Sequence, residues 1–282
     1  MDLRKGLVVE GGGMRGIYAA GVIDVLLENN IKVDGVIGVS AGAIHGCCYV
    51  SEQIGRSIRY YRKYVGYDKF MSLKNFFKTG NIVDTEFCYN KLPNELDPYD
   101  YEKSLETDVK FFATCTNLES GEAEYIEISD AKNQMDVLRA SASLPYFSQI
   151  VEYDGKKLLD GGCADSVPLK AFQNMGYEKN IVILTREDEY RKSPEKTFFA
   201  KLIYRKYPKF VETLKKRHSV YNENIEYIRN EEKKGNAFVI RPSSKLSIDR
   251  LSKDIAEIEG VYNQGRKDAL EKLEALKIWM TE

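Results

Sequence analysis

Leu7-Val8-Val9 is apolar at every position and stops at Glu10 and three glycines, after which apolar residues recur at helical spacing, with Ile17, Gly21, Val25 and Leu26 on one face. The same grammar returns at Val36-Ile37-Gly38-Val39, a second short apolar strand followed at once by a small-residue helix from Ala41 to Val50. Strands without polar alternation, each leading into a helix, predict an α/β fold with a mainly parallel central sheet covered on both faces. Further strands are expected at 109–116 and 180–184, with a hairpin partner at 124–128 after Ser120-Gly121, which gives at least four. From Arg186 onward the pattern turns helical and basic. It returns to a strand at Ala237-Phe238-Val239-Ile240 and closes with an amphipathic helix from about Leu251 to Met280. The expected organisation is a main core over 1–185 and a mainly helical extension over 186–282 that packs on the core and contributes one strand at about 237–241.

Composition narrows the function classes. Forty-two Lys and Arg against forty-three Asp and Glu leave a net charge of −1, so no global field draws the chain to nucleic acid. No apolar run reaches the ~18 residues of a membrane span. The opening Met1-Asp2-Leu3-Arg4-Lys5 lacks the apolar stretch of a secretory signal, and a cytoplasmic protein is expected. Cys47, Cys48, Cys88, Cys115 and Cys163 show no C-x-x-C spacing and histidine occurs twice, which speaks against a metal site or a disulfide framework. The cysteines are expected to be reduced and packed as small apolar residues, with Cys163, beside a motif described below, open to modification.

Three motifs carry candidate chemistry. Gly38-Val39-Ser40-Ala41-Gly42 fits G-x-S-x-G where a strand turns into a helix, a sharp bend that lifts a serine hydroxyl above the sheet edge. A chance match in a strand-to-helix loop is the bland alternative. Gly11-Gly12-Gly13-Met14-Arg15-Gly16 places consecutive amides at a helix start, suited to an anion such as a tetrahedral oxyanion. It also satisfies G-x-G-x-x-G. A dinucleotide site, however, wants an acidic residue at the end of the second strand, where Ser40 stands, and Asp34 precedes that strand. Asp160-Gly161-Gly162 follows a short apolar approach and precedes Asp165-Ser166-Val167-Pro168, which reads as the cap and first turn of a helix. An Asp-Gly turn is commonly only a turn. A serine nucleophile needs a base, though, and the histidines are poorly placed: His45 lies five residues along the helix from Ser40, about 7.5 Å along its axis, and His218 sits in the basic tail. A carboxylate is left to take the proton.

Taken together, Gly11 to Gly16, Gly38 to Gly42 and Asp160 to Gly162 resemble, in order and spacing, the motifs of the patatin-like phospholipase family, including its calcium-independent bacterial members. Arg139 to Phe147 is similar to the family segment that leads into the catalytic aspartate. The resemblance covers roughly residues 5–185. It implies a three-layer α/β/α fold and an acyl hydrolase without metal or organic cofactor, with Ser40 as nucleophile, Asp160 as general base and later acid, and Gly11, Gly12 and Gly13 as the oxyanion hole. Gly16, Gly38, Gly42, Gly161 and Gly162 complete the motifs. Arg15 occupies the family's basic position, where it orients the loop or attracts a lipid phosphate. The partner implied is a lipid or ester substrate, and the long tail is the visible departure.

Residues 56–78 and 196–217 mix basic and aromatic residues. Packing of the aromatic face on the core, with charges in water, is the expected arrangement, and peripheral contact with a membrane is the alternative. The rival functional class is a lipid-surface binding or regulatory protein that keeps the fold with little turnover.

Overall fold

Alternate residues of the first strand enter two different cores: Leu7 and Val9 pack on one face of the sheet and Val8 on the other. Val36 and Ile37, Ile181 and Val182, and Ile240 and Val239 divide in the same way. This period of two is what a strand covered on both sides requires. The computed structural model describes residues 3–249 and 251–282; Met1 and Asp2 of the charged opening stretch lie outside the described residues.

The strands are β1 (Lys5–Val9), β2 (Gly35–Val39), β3 (Lys110–Asn117), β4 (Ala123–Glu127), β5 (Val151–Tyr153), β6 (Lys156–Asp160), β7 (Lys179–Ile183) and β8 (Ala237–Ile240). The helices are α1 (Ile17–Glu28), α2 (Ala41–Val50), α3 (Arg56–Tyr64), α4 (Leu73–Thr79), α5 (Tyr101–Glu106), α6 (Met135–Ser141), α7 (Leu169–Asn174), α8 (Phe198–Ile203), α9 (Pro208–Lys233) and α10 (Ile255–Thr281). The sheet runs in the order β5-β6-β3-β2-β1-β7-β8, with β4 also paired to β3. Strands β3, β2, β1, β7 and β8 are parallel neighbours, and β4, β6 and β5 join antiparallel. The α/β/α layering with a mainly parallel sheet and a closing C-terminal helix agrees with the sequence reading.

The differences are local. The hairpin β5–β6 turns through Asp154-Gly155, both at positive φ, which is the two-residue connection such sequences favour. Residues 184–197 are irregular rather than helical, and helix resumes only at Phe198. Pro194 falls in this stretch, and proline biases the residue before it away from helix. Asp165 does not cap α7, which starts after Pro168. Its carboxylate instead accepts Tyr125 Oη–H (2.9 Å) and Asn224 Nδ2–H (2.8 Å), joining β4 to α9.

α1 is buried on all sides from Ile17 to Leu26, beyond the single face its spacing suggested. Its outer side is covered by α10, and the two helices approach closely enough that glycine is required on each. A Cβ on Gly21 would lie 2.2 Å from the Tyr262 carbonyl oxygen, and one on Gly265 would lie 2.1 Å from that of Tyr18. Paired hydrogen bonds flank the contact: Tyr18 Oη–H to Asp268 Oδ2 (2.9 Å) and Tyr262 Oη–H to Asp24 Oδ2 (2.6 Å). The C-terminal segment therefore closes the main core and adds a strand to the sheet.

Candidate active site

Strand register brings the three motifs to one edge of the sheet. Val9 pairs with Gly38 and Val39 with Thr114, so Gly11 and Ser40 leave the C-terminal ends of β1 and β2 at the same height. Cys115, one residue further along β3, pairs with Asp160. Ser40 and Asp160 thus stand level, separated by one strand, roughly 10 Å between backbones at ~4.8 Å per strand spacing, a gap their side chains reach into from either side. Ligand sites in open α/β sheets form at such carboxyl ends, where connections leave in opposite directions; here β1 lies between β2 and β7.

Ser40 has φ 55° and ψ −126°, a strained conformation for a residue with a side chain. Its surroundings enforce it. A Cβ on Gly38 would meet Ala43 Cα at 2.5 Å, and one on Gly42 would meet the Val9 carbonyl oxygen at 2.4 Å. The Ser40 amide donates to Ser141 Oγ at 2.9 Å, and Ser141 Oγ–H donates to the Thr114 carbonyl at 2.7 Å, pinning the elbow to α6 and β3. Ser141 lies within the Arg139–Phe147 segment, but nothing in the sequence marked it as a support for the serine.

Asp160 ends β6, and Gly161–Cys163 form a single helical turn after it. A Cβ on Gly161 would come within 2.1 Å of the Thr114 carbonyl oxygen, so the turn can lie this close to β3 only with glycine. Asp160 Oδ1 accepts the Gly162 N–H at 2.8 Å. The Ser40 hydroxyl adjoins the same carboxyl group and favours its ionised form, yet buried Oδ2 has no hydrogen-bond partner of good geometry. The two groups are adjacent and short of an aligned hydrogen bond. Burial drives the Asp160 carboxyl above the usual carboxylate range; Ser40, Arg217, the Gly162 amide and Lys192 pull the other way.

The glycine loop closes the near side. Gly11 abuts Ser40, since a Cβ there would lie 2.8 Å from the Val39 carbonyl oxygen and 3.0 Å from Ser40 Cβ. Gly13 has φ 56° and opens a short helical turn, Gly13–Gly16, whose first amides have no acceptor within the turn. Gly16 packs on Ala41, where a Cβ would be 2.6 Å from that of the alanine. Arg15 lines the recess beside Ser40 and favours ionisation of Glu10. Neither histidine faces either cavity. His45 is fully buried with Nδ1 on Ser57 Oγ (2.9 Å), and burial lowers its pKa to about 3. His218 Nδ1 lies against the Lys215 carbonyl (3.0 Å) on α9. Cys163 is buried and its thiol is pushed up to about 12, which argues against the reactivity its position suggested.

Two cavities meet at Ser40 and Gly13. One, about 170 Å³, is walled largely by apolar residues such as Ile44, Tyr60, Phe70, Leu92 and Leu138. Of the aromatic residues of 56–78, Tyr60, Tyr61 and Phe70 build part of this wall, Tyr64 is buried, and Tyr67 and Phe77 are exposed. The other, about 90 Å³, is lined by Asp160, Glu10 and the glycine loop together with cations from later in the chain. Glu10 Oε1 accepts Tyr221 Oη–H from α9 at 3.0 Å, while Oε2 accepts the Thr185 amide. No local pattern marks residues past 185 as reaching this site, because these pairs are separated by well over a hundred positions.

Residues 7–172 match the family model described as patatin-like phospholipase, and residues 207–281 match a domain of unknown function (DUF6363). The chain is 28% identical over 195 residues to the uncharacterized protein YjjU of Escherichia coli, covering 68% of this chain and 55% of that one. It is 25% identical over 183 residues to a lysophospholipase NTE1 of Meyerozyma guilliermondii, covering 63% of this chain and 12% of that one. Among solved structures, VipD from Legionella pneumophila aligns over 96% of this chain and 67% of its own, with a TM-score of 0.48 and 13% identity. The chain thus spans about half of YjjU and a small part of the lysophospholipase. With the match running from β1 through α7 and all three motifs inside it, the chain belongs to the patatin-like phospholipase family.

Proposed function

We propose that the protein is a lipid acyl hydrolase that cleaves carboxylic esters through an acyl enzyme on Ser40, with Asp160 as its general base. The observation that carries this reading is the strained serine beside a buried carboxylate, at the mouth of an apolar cavity of a kind that accepts an acyl chain. Asp160 takes the hydroxyl proton as Oγ bonds to the acyl carbon. Amides of Gly11, Gly12 and Gly13 stabilise the oxyanion. The bond to the alcohol oxygen then breaks and the alcohol leaves with the proton from Asp160. Water, deprotonated by the same carboxylate, attacks the acyl carbon; the bond to Ser40 Oγ breaks, the carboxylic acid leaves, and Asp160 returns the proton to Oγ. The relative named as a lysophospholipase supports a lipid ester as substrate. The test is mass spectrometry of products after incubation with a mixed lipid extract: free fatty acid should appear with the wild type and be absent with Ser40→Ala. Absence of acid from both would favour the reading as a catalytically weak lipid-binding protein.

Peripheral membrane contact belongs to the same proposal. No helix among the described residues is long and apolar enough to cross a membrane. α8, however, exposes Phe198 (73%), Phe199 (66%), Leu202 (65%) and Ile203 (55%), flanked by Lys196, Lys201, Arg205 and Lys206. Segment 196–217 is thus divided, since Tyr204 and Phe210 are buried. Tyr204 Oη accepts the Tyr146 amide at 2.9 Å, two residues from Leu144, which lines both cavities, so α8 sits near the rim. Replacing Phe198 and Phe199 by Ser together is expected to weaken cosedimentation with anionic phosphatidylglycerol vesicles about tenfold or more. Unchanged sedimentation would remove α8 from any membrane contact.

A further inference from the structure

The smaller cavity differs from the apolar one in charge. Arg186, Lys192 and Arg217 line it together with the glycine loop, and none belongs to the three motifs. Arg186 and Lys192 lie on the irregular segment after β7, and Arg217 lies on α9. Each is held in place. Arg217 Nε donates to the Gly162 carbonyl at 2.6 Å, and its Nη1 is 3.6 Å from Glu195. The Arg186 guanidinium stands 4.2 Å from the centre of the Tyr190 ring, and Lys192 Nζ stands 4.6 Å from that of Tyr221. The Asn222 carboxamide grips the Lys192 main chain from both sides, accepting its N–H at 2.9 Å and donating to its carbonyl at 3.0 Å. Such cations are pre-organised, so little ordering cost falls on a ligand. Four cations line the recess, Arg15, Arg186, Lys192 and Arg217, against two carboxyl groups, Glu10 and Asp160, so it is net positive even with both carboxylates ionised. If an acyl chain fills the apolar cavity, the alcohol side of the ester lies in this recess.

We propose that α9 and the segment after β7 complete an anion subsite in which Arg186, Lys192 and Arg217 bind a phosphate carried by the leaving alcohol, so that phosphate-bearing glycerol esters are preferred over neutral ones. This rests on the hydrolase reading, which fixes the side on which the alcohol lies. It also gives segment 207–281, matched only to a domain of unknown function, a role at the site.

The test has a binding arm that needs no turnover. In calorimetry with Ser40→Ala protein, sn-glycerol 3-phosphate is expected to bind saturably, tighter than inorganic phosphate, with glycerol not binding. Lys192→Gln should weaken it by about 10- to 100-fold, the scale of one charge-assisted hydrogen bond. Arg217→Gln should do the same and Arg217→Lys should restore part of the loss; melting curves check that the Gly162 turn survives. In the turnover arm, the ratio of kcat/KM for lysophosphatidic acid over a monoacylglycerol of the same chain should fall about tenfold or more in Lys192→Gln. Equal binding of inorganic phosphate and glycerol 3-phosphate would overturn the leaving-group assignment in favour of a free-phosphate site. Absence of binding, or an unchanged ratio with both esters still cleaved, would overturn the subsite while the hydrolase reading stands. Binding through these residues with neither ester cleaved would instead support the subsite and sink the hydrolase reading.

Discussion

Asp160→Asn is expected to lower kcat by about 10² to 10⁴, the usual contribution of a positioned general base, while the protein stays folded. The amide preserves the shape of the side chain and its bond to the Gly162 amide, but cannot take a proton from Ser40. The same substitution makes a second, opposite prediction for stability. Burial raises the folded-state pKa of Asp160, so the stabilisation linked to this group is present below its unfolded pKa and is lost as pH rises through the folded value. Above the folded value the ionised carboxylate is a cost, and there Asp160→Asn should melt no lower than the wild type. For activity the sign reverses. The base works only when ionised, so the acid limb of kcat/KM should fall at a pH above that of an ordinary aspartate. Removing the Lys192 charge, which favours ionisation, should move the limb higher still. His45→Ala with His218→Ala, checked for folding by melting temperature, should keep most of the activity, because one ring is bonded to Ser57 and the other lies on α9. A folded double variant that loses activity by several hundredfold, beside an active Asp160→Asn, would replace the dyad by a histidine mechanism.

Gly265→Val is expected to cost about 3 kcal/mol, near the upper end of overpacking penalties, and to lower Tm by roughly 6 to 12 °C. The new side chain would meet the Tyr18 carbonyl, a backbone atom that can retreat only if α10 lifts from α1. Lifting would open the contacts of Val261, Leu273 and Leu276 with the main core, each worth about 1.5 to 3 kcal/mol when fully buried. Gly260, on the same helix, has nothing within 4 Å of an added Cβ, so Gly260→Ala should stabilise by about 0.5 to 1 kcal/mol through helix propensity. Thermal melts of both variants separate packing from propensity. Equal behaviour would mean that the C-terminal helix does not close the core as described.

What could be read from the chain followed the range of each constraint. The elbow at Ser40, the glycine loop and the Asp160 turn are written within six residues each, because steric demands on a tight turn are local. Apolar runs announced the buried parallel strands for the same reason. The hairpin at Asp154-Gly155 was equally local, and its turn signal stood in the sequence beside strands too short and too charged to show alternation. Other features had no local trace. Glu10 meets Tyr221, and Gly162 meets Arg217, across distances along the chain that only the fold closes. Aromatic residues at 56–78 gave helical spacing but no indication that their burial would form a cavity wall at the serine. Residues 186–197 carry the basic pattern that reads as helical, and Pro194 together with contacts to α9 leaves the segment irregular instead.

The most direct test of the central claim is mass-spectrometric mapping of the protein after reaction with a fluorophosphonate, whose tetrahedral phosphorus engages an activated serine facing oxyanion donors. The account predicts one adduct, on the peptide that contains Ser40, absent in Ser40→Ala and greatly slowed in Asp160→Asn. An adduct on another serine or on a cysteine, or none on folded wild-type protein, would contradict it.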